Sequence, residues 1–359
     1  MISSIQACRG IAAIAVLLFH NSVAIFSQEK YWSEKPFGRI FDFGHAGVEF
    51  FFVLSGFIIL RAHWIDLGNR AVALRYILKR LWRIYPIYWL ILLTIMPVFF
   101  LDKSFGSGHQ RDATQILSSI FLLEIRWDPD LSADLPLSVS WTLFHEMLFY
   151  IIFSSLIVDI RAGLIILSLW FFSSIYELFN KSNSIVYFYS SPLNVLFLFG
   201  MLTYWTARSA KIKTAGPTMM LGMAIFCGAG IEEVYHPLIG DMGRSMVYGG
   251  ASALILAGLV QLESAGRLRL WKMFTVLGDA SYSIYLTHLP LLSALAKISI
   301  RLGLREGAPP KLMFVATAIT ATSIGVAIHL VVEKPLLQLS GRWLHVRRVA
   351  GSVRVSSPP

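Results

Sequence analysis

Apolar residues in this chain fall in long, nearly unbroken runs separated by short polar stretches. About 20 such residues are needed to cross a bilayer. The pattern predicts ten membrane helices, at 3–26, 46–60, 81–101, 138–158, 161–177, 192–208, 217–231, 246–261, 281–300 and 312–332. The longest polar stretch, 102–137, holds a short amphipathic piece at 113–123 and six acidic residues: Asp102, Asp112, Glu124, Asp128, Asp130 and Asp134. There is no internal repeat. One all-α, polytopic membrane domain over 1–335, followed by a basic tail over 336–359, accounts for the whole pattern.

Composition sharpens this picture. The 359 residues are 56% hydrophobic and 14% charged, with a mean hydropathy of +0.64. These values exclude a soluble domain. The formal net charge of +10 suggests nucleic acid, but its distribution argues for a membrane. With the amino terminus inside, 19 of the 31 lysines and arginines fall in inner segments, 11 in outer ones, and Lys297 within a helix. That excess places both termini in the cytoplasm and the 102–137 loop outside. The first run is not read as a cleaved signal peptide, because its positive charge lies within the run itself. Cys8 and Cys227 both sit in apolar runs and offer neither a disulfide framework nor metal-ligand spacing.

A few ionisable residues interrupt the apolar runs. The first run carries Arg9 and His20. At about 100° per residue the two lie within about 20° of one face, roughly 16 Å apart along the axis. Ionisable groups inside a membrane helix are costly and mark candidate functional sites. Arg80 and Arg83, three residues apart before Pro86, share a helix face and suit phosphate oxygens. Pro86, near the helix start, leaves backbone N–H groups open, which also favours an anion. Glu146 lies about 12 Å below the outer surface and His20 about 9 Å below it, depths compatible with one site in which the carboxylate orients the histidine. His145 points about 100° away from Glu146, so the two cannot both be central. Glu49 lies near the outer interface and could line an acceptor cleft. Gly278 and Asp279 read as a loop and helix cap. His288, near mid-membrane, is either a second site histidine or a satisfied core one. Pro335 reads as a stop, with Glu333 paired to a basic neighbour.

Taken together, these fragments resemble the membrane acyltransferase family 3. The likeness rests on Arg9 with His20, on the stretch Gly47-Val48-Glu49-Phe50-Phe51-Phe52-Val53-Leu54-Ser55-Gly56-Phe57, and on Arg80-x-x-Arg83-Ile84-x-Pro86. It rests further on Trp141-Thr142-Leu143-x-x-Glu146-x-x-Phe149-Tyr150, on Ser281-Tyr282-Ser283-Ile284-Tyr285-Leu286-x-His288-x-Pro290, and on Glu333-Lys334-Pro335. It covers nearly the whole chain. One departure is Glu49, where many relatives have Asp, and no stretch reads as the extracytoplasmic hydrolase-like domain that some relatives carry. The resemblance implies a multi-pass enzyme of the cell (inner) membrane that O-acylates cell-envelope or exported polysaccharides. Acyl-CoA, often acetyl-CoA, is then the co-substrate, with no permanently bound cofactor and no metal. The expected partners are a glycan or lipid-linked saccharide acceptor and membrane lipids, not nucleic acid.

On this reading His20 and Glu146 are the catalytic candidates. Arg9, Arg80 and Arg83 hold the donor, and Glu49, Trp141 and His288 contact the acceptor. His20 acts as general base on a sugar hydroxyl or accepts the acyl group itself. Two other classes compete: a transporter or flippase for a lipid-linked saccharide, whose proton relays also use intramembrane His, Glu and Arg, and a membrane sensor without catalysis.

Overall fold

The structure is a computed structural model that describes residues 3–101, 113–124, 135–180, 188–209, 214–268 and 271–339. Among these there is no strand. The helices are α1 Ser3–His20, α2 Gly47–His63, α3 Arg70–Leu101, α4 Ala113–Phe121, α5 Trp141–Val158, α6 Ile160–Asn180, α7 Val195–Ser209, α8 Ala215–Tyr235, α9 Asp241–Ser264, α10 Lys272–Asp279, α11 Ser281–Arg301, α12 Leu304–Gly307 and α13 Pro310–Ile328. Most of the 102–137 loop and the tail from 340 onward lie outside the described residues; the amphipathic piece of the loop is α4.

Nine helical segments among the described residues are long and apolar enough to cross a membrane, against the ten expected. The run at 192–208 forms a 3-10 turn, Pro192–Asn194, and then α7 of 15 residues. At about 1.5 Å per residue α7 is roughly 22 Å long, short of the hydrocarbon thickness. It packs on α2 backbone to backbone: a Cβ on Gly56 would meet the Phe197 carbonyl, and one on Gly200 the Val53 carbonyl. With Leu196 and Phe197 fully buried, this helix leans on protein and need not match the lipid alone.

Three other expectations change. Helix α3 starts at Arg70, so Pro86 lies well inside it, and no helix N-terminus opens beside Arg80 and Arg83. Gly278 and Asp279 end α10 instead of forming a loop and cap. Gly278 packs against the Gln6 backbone, while Asp279 accepts a hydrogen bond from the Gln6 side chain at 2.5 Å. Pro335 does not stop the last helix, which continues from α13 through a π-helical segment, His329–Glu333, as far as Leu339. The wider π turn leaves a backbone carbonyl free of its usual i+4 partner, which accommodates a proline just beyond it.

Helix α1 is held from all sides. Its first amide groups lack intrahelical partners, and the Glu263 carboxylate of α9 accepts from Ser3 N at 2.6 Å and Ser4 N at 2.7 Å. Small residues bring α2 against it: a Cβ on Gly47 would press on the Ala12 carbonyl, a device common between membrane helices. Beyond His20, α1 continues as a π-helical segment, Asn21–Phe26. There the fully buried Asn21 donates to the Phe314 carbonyl at 3.0 Å and to Thr317 Oγ1 at 3.1 Å on α13.

These contacts give two tests. Replacing Gly56 by Ala should lower thermal stability in detergent by about 5 °C or more, because overpacking a tight contact costs about 1–3 kcal/mol. Gly250→Ala, with nothing within 4 Å of the new Cβ, should leave it unchanged. In a cysteine-free background, Glu29→Cys should react with a membrane-impermeant thiol reagent in intact spheroplasts, and Asn69→Cys only after permeabilisation. The reverse pattern would overturn the orientation.

Candidate functional site

Residues of α1, α2, α3, the first turns of α5, α10, α11 and the continuation of α13 beyond Ile328 enclose a cavity of about 840 Å³. Arg9, Arg80 and Arg83, the three arginines singled out in the sequence, line it together with Glu146. Arg61 and Lys334 also line it. Arg61 looks like ordinary inner-side charge in the sequence and Lys334 appears there only within Glu333-Lys334-Pro335; the packing of the helices shows that both reach this cavity.

Each arginine is held by neighbours. Arg80 Nη2 donates to His63 Nε2 at 2.8 Å, and His63 Nδ1 in turn donates to Asp66 Oδ2 at 2.8 Å. A guanidinium only donates, so His63 Nε2 must accept. The Arg80 guanidinium also lies over the rings of Tyr76 and Tyr150, 5.6 Å from each centroid. Arg83 pairs with Glu333 at 3.5 Å and lies over the Tyr282 ring. Glu333 itself accepts from Ser283 Oγ at 2.7 Å and from His329 Nδ1 at 2.8 Å, so the basic partner expected for Glu333 is Arg83. Arg9 donates to Gln6 Oε1 at 3.2 Å. Hydrogen-bonded clamps of this kind fix long side chains before any ligand arrives, which lowers the entropy lost on binding.

Glu146 faces this cavity and not His20. Its Oε1 accepts from Tyr150 OH at 2.5 Å and from Ser55 Oγ at 3.3 Å. The pairing of Glu146 with His20 expected from their depths is therefore not formed: depth along a helix fixes height but leaves azimuth open. His145 turns away, as the spacing requires, and meets Asn194 Oδ1 at 3.1 Å.

His20 is partly exposed but does not line the cavity. Its Nδ1 lies 3.0 Å from the Val16 carbonyl and 3.0 Å from His288 Nε2. His288 does not line the cavity and is 0% exposed, so it is walled off from the acceptor it was expected to contact; its Nδ1 lies 2.6 Å from the Tyr285 carbonyl. The Tyr285 ring lines the cavity, lies 5.7 Å from the His288 ring, and meets the Phe51 ring at 5.8 Å. Its hydroxyl is tied to Thr142 Oγ1 at 3.1 Å. Phe51 also lines the cavity and packs against both main apolar cores. The histidine pair thus stands just beyond an aromatic wall at the deep end of the cavity.

On the other side of His20, Phe19 packs edge-on between its ring and that of His45. His45 Nε2 is 2.7 Å from Glu233 Oε1, and Tyr248 OH donates to Glu233 Oε2 at 2.7 Å. Glu49 is buried nearby; one oxygen accepts from Ser245 Oγ at 2.9 Å, and the other, Oε2, has no hydrogen-bond partner. Trp141 lies off the cavity, its ring against Phe52 and His145. Among the described residues no group of three or more His, Cys, Asp or Glu side chains could hold a metal ion.

Residues 2–330 match the family model described as an acyltransferase domain. The chain is 32% identical over 312 residues to the exopolysaccharide production protein ExoZ of Rhizobium meliloti (strain 1021), covering 84% of this chain and 92% of that protein. It is 25% identical over 320 residues to putative O-acetyltransferases of Staphylococcus aureus strains COL and MW2, covering 79% of this chain and 50% of theirs. No solved structure matches the chain. A family match over nearly the whole chain, on a frame with nine apolar, membrane-length helical segments among the described residues, makes this protein a member of acyltransferase family 3.

Proposed function

We propose that this protein moves an acyl group, acetyl by analogy with its relatives' names, from acyl-CoA to a hydroxyl of an exported or cell-envelope polysaccharide. The observation that carries this reading is the inner cavity in which Arg9, Arg80 and Arg83 converge below a histidine pair. Clustered arginines bind phosphate oxygens in a fixed geometry, and acyl-CoA is an anionic, phosphate-bearing acyl donor. The name of ExoZ supports an exopolysaccharide as the acceptor.

Coenzyme A enters from the inner side, its phosphates against Arg80 and Arg83 with Arg61 and Lys334 at hand. The pantetheine arm runs along α1 towards Phe51 and Tyr285, and the thioester reaches His20 past these two rings. The roughly 16 Å between Arg9 and His20 along the helix is on the scale of that arm. The acceptor approaches His20 from the opposite side, where Glu49 and His45 lie. His20 takes the proton of the sugar hydroxyl while the hydroxyl oxygen attacks the thioester carbonyl carbon. The carbon–sulfur bond then breaks, and the departing thiolate recovers the proton from the imidazolium. The products are the O-acyl ester and free coenzyme A. Glu146, among the arginines, tempers their mutual repulsion and anchors Tyr150 in the cavity wall.

The test is acyl transfer by the purified protein in nanodiscs, supplied with radiolabelled acetyl-CoA and base-deacetylated exopolysaccharide. Arg80→Ala should raise the donor KM by about 10-fold or more, in line with the loss of a charge-assisted hydrogen bond, and should change kcat much less. His20→Ala should lower kcat by at least about 100-fold and leave acetyl-CoA binding intact. Full transfer by His20→Ala would remove the histidine from the chemistry. An unchanged donor KM in Arg80→Ala would remove the phosphate site.

A further inference from the structure

Hydrogen-bond valence around the histidine pair determines where its protons sit. A carbonyl oxygen only accepts. The Tyr285 carbonyl, 2.6 Å from His288 Nδ1, therefore makes that nitrogen the N–H donor. In the neutral ring the lone pair is then on His288 Nε2. That nitrogen faces His20 Nδ1 at 3.0 Å, so His20 Nδ1 must donate. The second neighbour of His20 Nδ1 agrees independently: the Val16 carbonyl, 3.0 Å away, also only accepts. Both contacts place the His20 proton on Nδ1 and leave Nε2 with the free lone pair. Nε2 has no hydrogen-bond partner among the described residues, and the ring keeps exposed surface.

We propose that His288 is the positioning residue of the reaction: it holds His20 as the Nδ1–H tautomer, so that Nε2 is the base, and it accepts the His20 hydrogen bond more strongly once Nε2 has taken the acceptor's proton. This inference rests on the reading of His20 as the base. Val16 cannot do the same work alone. Its carbonyl already takes a backbone N–H of the helix, which leaves it a shared and poorly directed acceptor. His288, by contrast, is fully buried and fixed at its other nitrogen by Tyr285, so its lone pair points one way. Water has no access to replace it. The arrangement parallels the general rule that a catalytic histidine is oriented by the acceptor at its non-reacting nitrogen. Here the orienting group is a neutral imidazole, which spares the membrane interior a buried carboxylate.

The test compares His288→Gln with His288→Met in the full-length protein in nanodiscs, with radiolabelled acetyl-CoA and base-deacetylated exopolysaccharide. The glutamine amide oxygen can take the place of the Nε2 acceptor, whereas methionine fills a similar volume without a comparable one. His288→Gln should stay within about 10-fold of wild-type kcat, and His288→Met should fall by about 100-fold. Both should keep the wild-type donor KM, acetyl-CoA affinity and melting temperature. In a His20→Asn background, His288→Met should cause no further loss, because the residue acts through His20. A wild-type kcat in His288→Met would overturn the proposal, as would equal losses in the two variants. A further loss in the His20→Asn background would likewise show action independent of His20. If His20→Asn itself retained full turnover, the base assignment would fail instead, and that result is read separately from the His288 pair.

Discussion

Hydrocarbon cannot solvate a charge or an unpaired polar group, and this constraint organises the molecule. Every ionisable side chain within the spans needs either a partner or a polar cavity. The arginines of α3 meet tyrosine rings, a histidine and a carboxylate. The deep histidine meets a second histidine and a backbone carbonyl. Close helix contacts make these meetings possible. Where α2 rides on α1 through Gly47, and α7 on α2 through Gly56 and Gly200, the backbones approach until polar side chains from different helices can reach one another.

The two π-helical segments fall at the places where this demand is greatest. One begins directly after His20, and the other carries His329 and Glu333. A π turn costs backbone stability and recurs at functional sites, where it re-aims side chains. Here the first lies between His20 and the Asn21 anchor on α13, and the second presents Glu333 to Arg83 and Ser283. Glu333 with its Arg83 partner, and His20, are thus each placed beside a local distortion of the helix, with Phe51 and Tyr285 packed between the cavity and His288.

Much of this was legible in the sequence, because a membrane makes hydropathy a direct record of fold. The helix order and the candidates Arg9, His20, Arg80, Arg83, Glu146 and His288 follow from apolar runs and the charges that interrupt them. What the pattern could not supply was azimuth between helices. Arg9 and His20 share a face of α1, yet only Arg9 lines the cavity, because ring side chains from α2 and α11 intrude between them. Glu146 and His20 share a depth, yet Glu146 turns to Tyr150. Pro86 and Pro335 mark helix boundaries in soluble proteins, but here both lie within helices that neighbouring elements keep intact. Arg61 carried no signal of its own, since inner-side charge is expected on any such chain, and Lys334 stood out only within Glu333-Lys334-Pro335.

In the proposed mechanism the donor occupies the cavity with its acyl end towards the histidine pair. The most direct measurement is a cryo-EM structure of the protein in nanodiscs with a non-hydrolysable thioether analogue of acetyl-CoA. Density is expected in the cavity, with phosphates against Arg80 and Arg83 and the acyl end against Phe51 and Tyr285, on the way to His20. An analogue bound elsewhere, or an empty cavity in a preparation that turns over acetyl-CoA, would contradict it.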